Sequence, residues 1–425
     1  MNSISFSEKK YILKRKIKAF MSSLVYYVCW IFPIKKNKIV MWTFEGMGGY
    51  GCSPKYIAEE ILKRNQEGKN ELEIFWLLKD VNKEFPKEIK KIKSTLWSRA
   101  YHLSTAQFWV ANTRTFYGTK KRKGTTYLQT WHGTVSVKPI GKYRGDNLPK
   151  MAYLISKYDS KMIDYALSGS RWCTNTWPDG LIYNGEIIEI GTPRCDILFH
   201  GSDKKHIEMR LEYHIPLDAK IILYAPTFRG GSQKKSRSVK MEICSVDFER
   251  MIIALEKRFG GKWYVFLRLH PQLAAQMDKF PIEEGNERLI DVSQRPDMSE
   301  IIAASDVCLT DYSTVIFESF LTRNPGFIYV DDLNEYIADR GILMFKKEEI
   351  PFSVACNNDE LVENILNFEQ EIYEKKVDEF IEKTGIMEDG HASERVVELI
   401  ERLASFSNEN RKYQVDFKAG KRMRS

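Results

Sequence analysis

The chain of 425 residues is longer than one compact core usually accommodates, so we expect two domains of roughly 200 residues each. Apolar residues make up 43% of the sequence and charged residues 29%, a composition that excludes a disordered chain. The 7 cysteines are scattered and form no CxxC pair, which argues against a disulfide framework and a zinc site and is typical of a reducing cytoplasm.

The net charge of +8 is concentrated near the N-terminus. The segment from Lys9 to Lys38 carries nine basic residues and no acid, so subtracting its +9 leaves a body with a charge of about −1. A nearly neutral body argues against a nucleic-acid-binding protein. A local basic cluster instead favours an anionic membrane surface as a partner.

Within this basic segment, Ala19 to Phe32 form an uncharged, aromatic-rich run of fourteen residues. A membrane-spanning helix needs about 20 apolar residues, so this run is too short to cross a bilayer, and no signal-peptide cleavage site follows it. We interpret residues 1–37 as an amphipathic segment that associates with the membrane surface. The alternative is a helix that only docks on the first domain.

Further along the chain, short apolar runs alternate with helical patterns, which predicts parallel βαβ units. In the first half, a helix is predicted at 54–64, after a glycine-rich loop, and strands at 39–44, 73–78, 106–111, 127–130 and 187–190. In the second half, strands are predicted at 221–225, 263–267, 306–309 and 326–330, and helices at 248–258, 299–304, 315–320 and 393–404. The sequence therefore predicts an α/β fold of two Rossmann-like domains, 38–200 and 201–405, followed by a basic flexible tail, 406–425.

Polar motifs follow four of these strands, and ligands of open α/β sheets bind beyond the carboxyl ends of the strands. In the first half, QTWHGT places His132 at such an end. An imidazole there is suited to act as a general base at neutral pH, although a structural histidine in a turn would give the same pattern.

The other three motifs lie in the second half and share chemistry that recognises phosphate. They are APTFR with Arg229, RLHP with Arg268 and His270, and LTDYST, in which Asp311 or Ser313 can cap the predicted helix 315–320. Each alone is weak, because surface arginines and N-caps are common. Together they predict a phosphate-binding cleft, and the absence of Walker, GxGxxG and HExxH motifs leads us to expect no cofactor and no metal ligand set.

Five segments in this order, YLQTWHGT, EIGTPRCD, ILYAPTFR, RLHP and LTDYSTVIFES, resemble the CDP-glycerol glycerophosphotransferases of wall teichoic acid and capsule synthesis, a family of primases and polymerases. The loop FEGMGGYGCSPKYI is similar to the family's first acceptor-side loop. The resemblance extends from about Lys38 to about Leu403 and implies a GT-B architecture, with the CDP donor held mainly by the second domain. It also implies a peripheral protein at the cytoplasmic face of the bacterial cell membrane.

The resemblance implies partners and residue roles as well. The expected reaction transfers glycerol phosphate from CDP-glycerol, or a related CDP-alditol, to a hydroxyl of a lipid-linked saccharide or polymer acceptor, with release of CMP. His132, as the base, and His270 are the expected catalytic residues. The expected donor-binding residues are Arg194, Thr227, Arg229, Arg268, Thr310, Asp311, Tyr312, Ser313 and Thr314, and the acceptor-side residues are Trp131, Gly133 and Thr134.

Three departures from the family pattern leave the donor open. Thr314 replaces the usual final serine of TDYSS, Glu318 replaces a frequent aspartate, and Gly230 and Gly231 stand where an acid often follows the APTFR arginine. The alternative enzymes are a ribitol-phosphate transferase and a GT-B glycosyltransferase that uses a nucleotide sugar. The non-enzymatic alternative is an inactive scaffold of the cell-envelope machinery, and the chain length fits a primase as well as a polymerase.

Overall fold

The protein contains two α/β units, each built on a parallel sheet, in a computed structural model that describes residues 6–227, 245–269 and 287–406. The strands of the first sheet are β1 Lys35–Trp42, β2 Glu73–Leu78, β3 Lys90–Lys93, β4 Ala106–Ala111, β5 Thr126–Gln129, β6 Tyr165–Ser168 and β7 Glu186–Glu189. Those of the second are β8 Lys220–Ala225, β9 Trp263–Leu267, β10 Leu289–Asp291, β11 Val307–Thr310, β12 Gly326–Tyr329 and β13 Ser353–Ala355. The predicted α/β class with two parallel sheets is confirmed.

Helices cover the faces of both sheets. Those of the first half are α1 Phe6–Cys29, α2 Cys52–Gln66, α3 Leu96–Ser104, α4 Lys150–Ser160, α5 Arg171–Gly180, α6 Ile197–His200 and α7 Ser202–Glu212. Those of the second half are α8 Phe248–Phe259, α9 Met298–Ala304, α10 Ile316–Ser319, α11 Leu333–Arg340, α12 Asn358–Leu366, α13 Gln370–Thr384 and α14 Ala392–Phe406. Within the described residues, none of these helices is long and apolar enough to cross a membrane.

Both sheets have the strand order of a dinucleotide-binding fold. The first runs β3-β2-β1-β4-β5-β6-β7 and the second β10-β9-β8-β11-β12-β13. In each sheet the order reverses beside the first strand, between β1 and β4 and between β8 and β11. Ligands of such sheets bind in the crevice at this reversal, beyond the carboxyl ends of the strands. The topology therefore directs attention to the loops after β1, β4, β8 and β11.

The central strands are buried on both faces, which explains why their apolar runs were recognisable. All six residues of β4 are buried, as are all five of β9. The sequence analysis missed β3, β6, β10 and β13. The edge strand β3 has the sequence KKIK, whose lysines point to water rather than into a core, so it carries no apolar signal.

The last helix crosses back to the first sheet. On α14, the buried side chains of Val396, Val397, Leu399 and Ile400 share one core with Ile39 and other residues of the first sheet. The expected boundaries group this helix with the second domain, 201–405, whereas its apolar face belongs to the first core. The helix therefore packs its apolar face on the first unit, although it follows the second unit in the chain.

The N-terminal helix α1 is docked along one edge and exposed along another. Tyr26 is fully buried, and its hydroxyl lies 3.2 Å from that of Thr119; Ser23 donates a hydrogen bond to the carbonyl of Gly118 at 3.0 Å. Strand β1 begins at Lys35, inside the expected membrane-associating segment 1–37. The structure thus shows docking of this helix, and its association with a membrane stays a prediction.

Candidate active site

His132 lies in the loop that follows β5, and its side chain contacts the loops on both sides of the sheet reversal, after β1 and after β4. Its Nδ1 is 2.7 Å from the carbonyl oxygen of Asn112, the residue after β4. The same Asn112 accepts a hydrogen bond at its side chain from the backbone N–H of Phe44, in the turn after β1. The rings of Phe44 and Trp131 pack against the imidazole at centroid distances of 5.7 and 4.4 Å. The loops after β1, β4 and β5 therefore position this side chain jointly.

The surroundings of His132 keep its imidazole neutral at physiological pH. Burial is the main cause and lowers its pKa to about 4, with Arg194 and Arg114 acting in the same direction and the Asn112 carbonyl opposing them. Because Nδ1 lies against a carbonyl oxygen, that nitrogen carries the proton and donates it. The lone pair is then on Nε2, so the ring is in the tautomer that can accept a proton from a hydroxyl.

The LTDYST motif lies at the sheet reversal of the second unit. The carboxylate of Asp311 accepts hydrogen bonds from the backbone N–H and the hydroxyl of Thr227, at 2.9 and 2.8 Å. Thr310 donates to the carbonyl of Ala225 at 2.6 Å. These bonds tie the ends of β8 and β11 together. The carboxylate of Asp311 thus joins two strand ends, which differs from the helix-capping role expected for it.

The helix predicted at 315–320 is present but only partly α-helical. The α-helix spans Ile316–Ser319 and continues as a 3-10 helix over Phe320–Thr322. Ser313 accepts a weak hydrogen bond from the N–H of Val315 at 3.4 Å. Tyr312 is buried, donates to Asp332 at 3.0 Å and stacks on Tyr336 with the rings 3.6 Å apart. The hydroxyls of the motif therefore sit on a tight loop anchored by Tyr312, and the expected anion site there stays a prediction.

The two motifs meet across the units. A Cβ placed on Gly133 would lie 3.5 Å from Cγ2 of Thr314, which is ordinary van der Waals contact. The backbone of Gly133, beside His132, therefore lies close to Thr314 of the second unit. The structure brings together the first-half and second-half motifs that sequence reasoning placed in one cleft.

Arg194 forms a buried ion pair across the same junction. Its guanidinium contacts the carboxylate of Glu318 on α10 and donates to the carbonyl oxygen of His132 at 2.8 Å. Burial alone would lower the pKa of Arg194, but the charge of Glu318 outweighs it and raises the pKa. Arg194 thus links the units and supports the His132 backbone. Donor binding by Arg194, expected from the sequence, stays a prediction.

The remaining predicted residues are differently placed. Thr134 is fully buried, and its carbonyl accepts hydrogen bonds from Ser170 at 2.5 Å and Cys173 at 2.8 Å. These bonds attach the loop after β5 to the start of α5. Arg268 follows β9 and donates to the carbonyl of Ser293. Burial lowers the pKa of Arg268. The predicted residues Arg229 and His270 lie outside the described residues.

A cavity of about 260 Å³ opens beside the Trp131–His132 step, and sequence reasoning missed most of its residues. It carries four cations and two aromatic rings, from Arg114, Lys138, Arg144, Arg340, Trp131 and Tyr336. We call this the basic cavity. Arg114 lies three residues after the end of β4, so its position at a strand end could have identified it as a candidate. No sequence pattern around Arg144 or Arg340 indicates a functional site. Among the described residues, no group of three or more His, Cys, Asp or Glu side chains could hold a metal ion.

Comparisons with known proteins agree with this geometry. A sequence model of the CDP-Glycerol:Poly(glycerophosphate) glycerophosphotransferase family matches residues 24–402. The teichoic acid poly(glycerol phosphate) polymerase of Staphylococcus epidermidis is 30% identical over 384 residues, 86% of this chain, and the chain spans only 51% of that protein. The teichoic acid glycerol-phosphate transferase of Staphylococcus aureus is 28% identical over 405 residues, which cover 92% of this chain and 100% of that protein.

Among solved structures, the wall teichoic acid polymerase TagF, in a histidine-to-asparagine variant soaked with CDPG, matches with a TM-score of 0.78 at 25% identity. The match covers 96% of this chain and 100% of that one, so it includes both parallel sheets and agrees with a GT-B-like arrangement. The resemblance inferred from five motifs is confirmed over nearly the same residues. The chain belongs to the CDP-glycerol:poly(glycerophosphate) glycerophosphotransferase family.

Proposed function

We propose that this protein transfers glycerol phosphate from CDP-glycerol to a hydroxyl group of a lipid-linked acceptor in teichoic acid or capsule-type polymer synthesis, and releases CMP. Family membership over residues 24–402 supports the reaction class. The observation that carries the proposal is the contact between the loop of His132 and the loop of Thr314. This contact supports an arrangement in which the acceptor, near His132, and a phosphate-bearing donor, near Thr314, would meet between the units.

The proposed reaction is a displacement at phosphorus in which His132 acts as the base. The acceptor hydroxyl donates its proton to Nε2 of His132, and its oxygen attacks the β-phosphorus of CDP-glycerol. A new P–O bond forms as the bond to the CMP phosphate oxygen breaks, and CMP leaves with the electron pair. Ser313 and Thr314, with Arg268 and His270, donate to the diphosphate oxygens, and each such preorganised donor is typically worth about 3 kcal/mol in the transition state.

The test is incubation of the purified protein with labelled CDP-glycerol and a lipid-linked disaccharide, followed by mass measurement of the product. A mass increase of one glycerol phosphate supports the proposal, provided that His132→Ala abolishes it. Parallel trials with CDP-ribitol and UDP-sugars separate the alternative enzymes, because only the true donor is consumed. Absence of turnover with every donor would favour the inactive scaffold.

We also propose that α1 binds an anionic membrane surface, which would bring the protein to its lipid-linked acceptor. Leu13, Ile17, Phe20 and Leu24 recur at helical spacing and are all exposed, with Phe20 exposed by 63%. They lie on a different side of the helix from the buried Tyr26. Lysines flank this apolar stripe, and each basic residue near an anionic surface contributes about 1 kcal/mol of attraction. An apolar stripe bordered by lysines suits a helix lying in the headgroup region.

Point substitutions test this better than truncation, since residues of α1 and β1 are buried in the first unit. Leu13→Ser with Phe20→Ser should reduce sedimentation with anionic vesicles while circular dichroism stays unchanged. The matched control is Ile253→Ser, which removes an equally exposed apolar side chain from α8. Wild-type binding should also weaken as salt is raised. Equal sedimentation of all three proteins would refute the membrane role of this stripe.

A further inference from the structure

We propose that the basic cavity is the site where a phosphate ester of the acceptor binds. The ligand's identity as an acceptor rests on the proposed function, whereas the presence of an anion site does not. The class of ligand is a phosphodiester or diphosphate attached to the acceptor hydroxyl, supplied either by a glycerol phosphate chain or by a lipid diphosphate. Of the cavity's residues, the motifs identified in the sequence assign only Trp131; its four cations have no assigned role.

The charge in the cavity is the first observation. Arg114, Lys138, Arg144 and Arg340 line it, and no Asp or Glu is among its lining residues, all of which the structure describes. The carboxylates that act on these cations lie outside the lining: Asp339 pairs with Arg340 at 3.0 Å and also acts on Arg144, while Asp159 and Glu45 act on Arg114. Four cations that share a cavity with no carboxylate in its lining repel one another, so an anion between them would lower their energy.

Two of these arginines, Arg114 and Arg144, are available to bind such a ligand. Within the described ranges, the guanidinium groups of Arg114 and Arg144 have no hydrogen bond or ion pair; Arg114 instead lies 4.9 Å above the ring of Trp131. Burial lowers the pKa of both arginines, which reflects the cost of holding these charges away from water. Arginine binds phosphate oxygens in a bidentate manner, so a phosphate ester would satisfy both groups at once.

The position of the cavity assigns the ligand to the acceptor. Trp131 is part of its wall and precedes His132, whose Nε2 takes the acceptor proton in the proposed reaction. Most of the lining comes from residues 114–156 of the first unit, with apolar surface from Pro139 and Leu148. Only Tyr336 and Arg340 come from the second unit, so an occupied cavity would also hold the two units together.

Helix α4 connects this site to the membrane-facing helix. Ala152 and Ser156 on α4 line the basic cavity, while Lys150 and Leu154 of the same helix line a groove against α1. That groove also contains Lys9 and other residues of α1. An acceptor anchored at the surface of α1 would therefore reach the cavity along a single helix.

The experiment measures binding without turnover, with Arg114→Gln and Arg144→Gln combined in one variant. The probes are a short glycerol phosphate oligomer, a short-chain lipid diphosphate and CDP-glycerol, each titrated by calorimetry. Loss of two charge-assisted contacts should weaken binding of the acceptor probe by at least about 100-fold and leave the CDP-glycerol affinity unchanged. Arg250→Gln, at an exposed arginine on α8, is the matched control and should bind all probes as the wild type does.

The outcomes separate the claims. If the double variant binds only one acceptor probe more weakly, that probe identifies the source of the phosphate. If it binds both more weakly, the cavity recognises the phosphate group without distinguishing its source. Unchanged affinity for both, or loss of CDP-glycerol affinity instead, would overturn the inference. The wild type could bind the oligomer more tightly than the double variant and yet never consume CDP-glycerol. That result would refute the proposed function but support the anion site. If the double variant fails to fold by circular dichroism, Arg144→Lys, which keeps the charge but loses the bidentate fork, should still weaken binding; unchanged binding would overturn the site.

Discussion

Lys55 on α2 holds the two units together, and replacing it with methionine tests that role. Its ammonium group lies 2.8 Å from a carboxylate oxygen of Asp297 and 2.7 Å from Glu300, both of the second unit. Asp297 also accepts hydrogen bonds from the hydroxyl of Tyr56 at 2.7 Å and the backbone N–H of Cys52 at 3.3 Å. The loop and helix that resemble an acceptor-side element thus form an interface between the units.

The burial of this pair sets the size of the effect. The side chains of Lys55 and Asp297 are 7% and 1% exposed, so Lys55→Met leaves the buried Asp297 carboxylate without its salt-bridge partner. Glu300 keeps Lys205 and Arg295, at 3.2 and 3.3 Å. Breaking a buried ion pair by removing one partner costs about 3–5 kcal/mol. Lys63→Met on the same helix is the matched control, because Lys63 is 58% exposed and pairs with Glu60 at 3.3 Å. Such surface pairs contribute about 0–1 kcal/mol.

The assay is urea denaturation followed by circular dichroism and tryptophan fluorescence. A chain of two units need not unfold in one step, so the midpoint of each transition is compared among wild type, Lys55→Met and Lys63→Met. We expect Lys55→Met to lower a midpoint clearly and Lys63→Met to leave it nearly unchanged. If the two variants are equally stable within about 1 kcal/mol, the ion pair does not hold the units together.

The same pair predicts a dependence on pH. Burial alone would raise the pKa of Glu300, but the charges and hydrogen bonds of Lys55 and, next, Lys205 outweigh it and hold that pKa at about 2. A carboxylate with a depressed pKa in the folded state adds stability that is present above its ordinary value of 4.5 and lost as pH falls toward about 2. In Lys55→Met the loss of stability on acidification should be smaller than in the wild type. If stability falls equally in both proteins between pH 4.5 and pH 2, Lys55 does not set the pKa of Glu300.

The remaining predictions concern the reaction and a buried carboxyl group. His132→Ala should lower turnover by at least about 100-fold with the fold intact, and near-normal turnover would exclude His132 as the base. Because the pKa of His132 is about 4, the wild-type rate should fall only as the imidazole is protonated near that pH; a fall near pH 6 or 7 would contradict this. Ser313→Ala with Thr314→Ala should weaken CDP-glycerol binding in a calorimetric titration, and unchanged affinity would remove this loop from the donor site. Burial raises the pKa of Glu388 to about 8, so its contribution to stability is present below pH 4.5 and lost as pH rises toward 8. In Glu388→Gln the melting temperature should therefore change less between pH 4.5 and pH 8 than in the wild type. An equal change in both proteins would contradict this role of Glu388.

Local sequence patterns located the strands and the motifs. Strands β2, β4 and β9 have the predicted bounds, because each is a continuous apolar run between polar segments. His132 and Asp311 were recognised because they follow such strands directly, and parallel strands present their carboxyl ends at one edge of a sheet. These inferences need only neighbouring residues and the βαβ rule, which explains why they could be drawn from the sequence.

The tertiary structure alone decided the partners across the cleft. The pairing of Arg194 with Glu318, the link from Lys55 to Asp297 and the return of α14 to the first sheet join residues far apart in the chain. The basic cavity likewise gathers Arg144 and Arg340 from different units. No local pattern marks these residues, because the residues that flank an arginine in the sequence do not show whether it lies on a solvated surface or in a charged cavity. Their roles depend on burial and on which opposite surface packs against them, and only the arrangement of the two sheets supplies both.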